Sequence, residues 1–158
     1  MSGKSMTEEP PDLAGEAEPD RGSPVEAMLR LQARLAHIHP QAPMIIASHA
    51  ALEVEVNEVL RKSVVRPDRL PRMGLAHQLG ILKALHDDEW LNLVADAIGA
   101  YGAVRNAIAH HDDEESIKKK IHSLFSRCEK VGMPMSDQTN LGTLAVGLAG
   151  ALNVSVEK

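Results

Sequence analysis

The chain has 158 residues and a formal charge of −5, enough length for one domain with a real core and too acidic a balance for nucleic-acid binding by bulk charge alone. Trp90, Tyr101 and Phe125 are its only aromatics, so the core has to be assembled from Leu, Ile, Val, Met and Ala, which points to all-α packing. A single cysteine, Cys128, excludes an internal disulfide framework and suits the cytoplasm.

Residues 1–22 hold Glu8, Glu9, Asp12, Glu16, Glu18 and Asp20 against Lys4 and Arg21, with Pro10, Pro11 and Pro19 interspersed. Such a segment has little to bury and is expected to be a disordered acidic tail without a targeting signal. A folded domain over 23–158 begins at Ser23-Pro24-Val25-Glu26, a capping-box pattern with proline at the first helical position. Met28, Leu29, Leu31, Leu35 and Ile38 follow on a helical period until Pro40 and Pro43 intervene.

A second helix is predicted from about Pro43 to Ser63, with Ile45, Leu52, Val56 and Val59 on one stripe and Glu53, Asn57, Glu58 and Arg61 largely off it. Arg66-Pro67-Asp68 closes it, and a third helix from about Pro71 to Leu85 carries Leu75, Leu79, Leu82 and Leu85. A fourth runs from about Asp88 to Ala109, a fifth from about Glu114 to Val131 and a sixth from about Asp137 to Leu152. The apolar stretch from Leu141 to Val156 is broken by Gly142, Gly147, Gly150 and Asn153 and falls short of the roughly 18 to 20 apolar residues of a membrane span, so no membrane partner is expected. Those glycines suit close helix packing.

The fourth helix carries the chemistry. Leu91, Val94, Ile98, Tyr101, Arg105 and Ile108 fall on successive turns of a single face, which puts an arginine on an apolar stripe. Arginine is almost never fully buried without a partner, so a carboxylate, a phosphate or a second subunit is expected opposite Arg105. The string continues Asn106, Ala107, Ile108, Ala109, His110, His111. A guanidinium clamps phosphate oxygens bidentately, an imidazole moves protons near neutral pH, and an amide can orient either. Five residues at about 100° each leave Arg105 and His110 roughly 140° apart on an ideal helix. The helix must therefore end or distort near His110, where Asp112-Asp113 makes an ending plausible, or two chains must share the site.

Other assignments of these residues compete. Arg105 can pair with Glu53 or Glu55 of the second helix. His110-His111-Asp112-Asp113 looks like a metal cluster, but adjacent ligands on a helix point apart and no second half follows, so a solvated helix end is expected, with no metal and no cofactor. His49 and His77 lie on or beside apolar stripes, where hydrogen-bonded core histidines are the default. Lys118, Lys119 and Lys120 form a solvated face that, with Arg61, Lys62, Arg66, Arg69 and Arg72, can supply a local basic surface.

The order of elements, AALEVEVNEVL over 50–60, GLAHQLGILKAL over 74–85 and AYGAVRNAIAHH over 100–111 resemble the HEPN superfamily, with some likeness to its mannitol-operon repressor branch. That family shares an Arg-polar-x-His motif with four to six intervening residues. Arg105, Asn106 and His110 match it at four and His111 at five, and the likeness covers about residues 43–131. The resemblance implies an up-and-down bundle of five to six helices that dimerises through the motif helix. It further implies a metal-independent endoribonuclease of toxin, defence or RNA-processing type acting on RNA, with Arg105, Asn106, His110 and His111 as site residues. The alternative it implies is a catalytically silent regulatory or binding module that engages a protein partner. In HEPN toxins held by a nucleotidyltransferase antitoxin a tyrosine two residues after the histidine is modified, and here that residue is Asp112.

Overall fold

The computed structural model describes residues 24–36, 39–136 and 138–156. The acidic tail over 1–22, Ser23 of the capping box and Ile38 lie outside the described residues. The chain divides into two compact units, one ending at Ala36 and the other running from His37. The first contains α1 (Pro24–Ala36), in which Val25, Met28, Leu29 and Leu31 are exposed and Arg30 pairs with Glu26 one turn away.

The second unit is all-α among the described residues: α2 (Ala42–Ser63), a 3-10 turn (Pro67–Arg69), α3 (Leu75–Leu85), α4 (Glu89–Ala109), α5 (Glu114–Lys130) and α6 (Leu141–Val156). Helix α4 is the hub, packing against α2, α3, α5 and α6, while α2 also packs on α3 and α6. The predicted stripes are the buried ones: Ile45, Leu52, Val56 and Val59 of α2, Leu75, Leu79 and Leu82 of α3, and Leu91, Val94, Ile98, Tyr101 and Ile108 of α4. Leu85, at the end of its stripe, is exposed.

Two helix starts differ from expectation, each for a local reason. Helix α3 begins at Leu75 rather than near Pro71, because Pro71 favours extended backbone before it and Gly74 caps the helix in an extended conformation. The buried Gln78 amide donates to the Met73 carbonyl at 3.2 Å and ties down this lead-in. Helix α6 begins at Leu141 rather than near Asp137, because Asn140 Oδ1 accepts from the backbone N–H of Gly142 at 2.8 Å and of Thr143 at 3.3 Å. It then continues past Asn153, whose amide donates to Ala149 O at 3.0 Å and reaches Glu55 Oε2 at 3.4 Å. Where α6 meets α2, a Cβ on Gly142 would lie 3.0 Å from Met44 Sδ, so this glycine does permit close packing. Around Gly150 nothing lies within 4 Å.

Candidate active site at the C-terminal end of the fourth helix

Asp88 starts α4 by accepting from Leu91 N at 2.9 Å, and the helix then runs uninterrupted to the motif. Arg105 is half-buried on the face shared with Tyr101 and Ile108. Its Nη1 donates to Asn106 Oδ1 at 3.0 Å, and its Nε is buried with no partner among the described residues. No carboxylate lies within ion-pair distance of it among the described residues, and Glu55 is turned toward Asn153 on α6. The alternative pairing of Arg105 with Glu53 or Glu55 is therefore not found: among the described residues the guanidinium has no carboxylate to neutralise it.

Helix α2 brings His49 against this segment. Its Nε2 sits 3.4 Å from where a Cβ on Gly102 would be, at the edge of ordinary van der Waals contact, so the imidazole lies against the α4 backbone at this glycine. Burial first, then the positive charge of Arg105, push the His49 pKa below 6.5, with Glu53 pulling the other way. The ring is half-buried and makes no hydrogen bond among the described residues, unlike the hydrogen-bonded core histidine expected there. His77, the other expected core histidine, is exposed. Burial of the Tyr101 hydroxyl raises its pKa, and Ser48 beside it offsets part of that rise.

The helix ends where the sequence suggested, through a hydrogen-bonded turn that lacks glycine. His110 caps α4, its N–H still bonded to Asn106 O at 2.9 Å; His111 N–H reaches Ile108 O at 3.3 Å and Asp112 N–H reaches Ala107 O at 2.9 Å. This is the Schellman pattern, with His111 in the left-handed position at φ 57°. Both imidazoles are exposed, as a solvated helix end requires. Asp112 accepts from Lys120 Nζ at 2.6 Å, which with the Ser116 hydroxyl and the charge of His110 holds its carboxyl below 3.8. Asp113 caps α5 by accepting from Ser116 N at 2.9 Å.

Arg105 and Asn106 are thus brought together, while His110 shares no hydrogen bond with either side chain. The helical hydrogen bond at His110 N–H leaves the angular separation from Arg105 essentially as on a straight helix. Sequence reasoning placed the lysine tripeptide on one solvated face, but the structure splits it. Lys118 and Lys119 pair with Glu114 and Glu115 at 2.7 and 2.8 Å, and Lys120 turns toward Asp112. The nearness of His49 to Arg105 has no sequence signal beyond a polar ring beside the α2 stripe. Comparison with protein-family models, with curated proteins and with solved structures finds no match.

Proposed function

We propose that this chain is a HEPN-type, metal-independent endoribonuclease of toxin, defence or RNA-processing type, working as a cytoplasmic homodimer. The observation that carries this reading is Arg105, a half-buried guanidinium with no carboxylate beside it among the described residues, next to Asn106 and five residues before an exposed histidine. An arginine held in that way is set up for an anion, and a phosphodiester supplies one bidentately. Arg105 clamps the non-bridging oxygens and offsets the charge that grows on phosphorus. His110 takes the proton from the ribose 2′-hydroxyl or gives one to the departing 5′-oxygen. The 2′-oxygen bonds to phosphorus as the P–O5′ bond breaks, leaving a 2′,3′-cyclic phosphate and a 5′-hydroxyl. His111, at the left-handed turn position, shapes the helix end.

The wide angle between Arg105 and His110 on α4 supports a site in which one chain's arginine meets the other's histidine across a two-fold axis. Among the described residues no helix is long and apolar enough to cross a membrane, which fits a soluble RNA-facing role. The lack of contact between Arg105 and His110 within the chain also favours a second reading, a silent regulatory module that binds a protein, such as an antitoxin, through the same surface.

End-labelled single-stranded RNA incubated with the purified protein in EDTA tests the proposal, beside Arg105→Ala and His110→Ala. Cuts ending in 2′,3′-cyclic phosphate that disappear in both variants are expected. Equal background in all three proteins, together with a full-strength partner complex formed by His110→Ala, would replace the enzyme with the binding module.

A further inference from the structure

Helices α3, α4 and α5 enclose a groove of about 460 Å³ that the motif does not account for. Its floor is made of small residues, among them Gly80 of α3 and Gly99 and Ala103 of α4, and a Cβ added at either glycine would meet nothing within 4 Å. Its rim carries Lys83, Lys120 and Arg127 against one lining carboxylate, Asp96. Asp96 binds Lys83 directly and faces Arg127 at 3.9 Å, so a single anion is spread over two cations. Lys120 in turn pairs with Asp112 at 2.6 Å, so the three cations face two carboxylates and the groove keeps an excess of one positive charge in a chain of net charge −5. None of the three aromatics lines it, so it offers no base-stacking platform.

The groove leads to the motif. Asp96, Gly99, Ala103, Asn106 and His110 recur at intervals of three and four residues, which is one stripe along α4. From Asp96 to His110 this stripe is about 20 Å long. At its far end Lys120 holds Asp112, two residues beyond His110. We infer that this groove seats the sugar-phosphate backbone of single-stranded RNA and guides it along α4 to His110. The small floor lets the backbone lie close to the helix, and the rim cations meet its phosphates. With charge and no stacking, recognition is sequence-tolerant and strongly salt-dependent. The reading of His110 as catalytic rests on the proposed function; binding in the groove does not.

The test uses full-length His110→Ala protein, which cannot cleave, and fluorescence anisotropy of a labelled oligouridylate. In that background Lys83→Gln, Lys120→Gln and Arg127→Gln combined should weaken binding by about tenfold or more and lower the slope of log K against log salt by about 2, for three phosphate contacts on a single strand. Gly99→Leu, which fills the groove without altering charge and replaces a helical glycine, should weaken binding several-fold. Asp96→Asn should tighten it. Lys118→Gln with Lys119→Gln, an equal kind of change on the outer face of α5, should have little effect. Wild-type-like binding by the triple variant, an equal loss from the outer pair, failure of His110→Ala protein to bind the oligouridylate, or equally tight binding of polyglutamate would each overturn the groove assignment. RNA held in the groove by a wild-type protein that never cleaves it would sink the ribonuclease and leave the groove. Cleavage with an unchanged KM in the triple variant would do the reverse.

Discussion

His111 occupies at the end of α4 the position that Gly132 occupies at the end of α5, with φ of 57° and 77° respectively. A left-handed backbone costs a residue with a Cβ about 1–2 kcal/mol, and glycine escapes that cost. His111→Gly should therefore raise stability by about 1 kcal/mol in urea denaturation while leaving RNA cleavage intact. Loss of cleavage in this variant would transfer the catalytic role to His111. His49 supplies a second check at this scale. Its folded-state pKa is depressed below 6.5, so the unfolded chain binds the proton more tightly. The resulting stability is fully present above pH 6.5 and is lost as pH falls through the folded value. Arg105→Gln should raise the His49 pKa in an NMR titration, though not to 6.5, because burial is the larger cause; an unmoved value would show that the two side chains do not interact. The place of Arg105 on the apolar face of α4 was legible in the sequence, because it interrupts a stripe of buried residues. His49 was not, because its neighbour Arg105 lies on another helix and only packing at Gly102 joins them.

The helices themselves were largely legible, since buried stripes of Leu, Ile and Val announce both period and face. The starts of α3 and α6 were not. They depend on single side chains, Gln78 donating to Met73 O and Asn140 accepting from Gly142 and Thr143 N–H, which a hydrophobic pattern does not encode. The glycines of α6 looked alike in sequence and differ in space. Gly150→Ala places a methyl in open space within a helix and should stabilise the protein by up to about 1 kcal/mol. Gly142→Ala sets its Cβ 3.0 Å from Met44 Sδ and 3.1 Å from the Asn140 Oδ1 that caps the helix, so that gain should be cancelled or reversed. Equal stabilisation by both substitutions in thermal melts would mean that the contact between α2 and α6 is looser than the structure has it.

For the molecule as a whole, the groove was illegible because Lys83 of α3 is far in sequence from Lys120 and Arg127, two turns apart on α5, and meets them only when α3 and α5 pack on α4. Lys120 sat inside a tripeptide that reads as one solvated face, although two of its members pair with neighbouring glutamates and Lys120 turns to Asp112 beside the groove. Assembly is the remaining step at this scale. Arg105 and His110 point apart on one helix, so the proposed chemistry needs a dimer, and sedimentation at micromolar concentration should find one. The most direct measurement mixes two inactive proteins, Arg105→Ala and His110→Ala, allows their subunits to exchange, and assays RNA cleavage in EDTA. A site built from one chain's arginine and the other's histidine predicts that activity returns, to about a quarter of wild type, because half the dimers are mixed and each mixed dimer has one intact site. A mixture that exchanges subunits and stays inactive, beside an active wild type, would contradict the shared site.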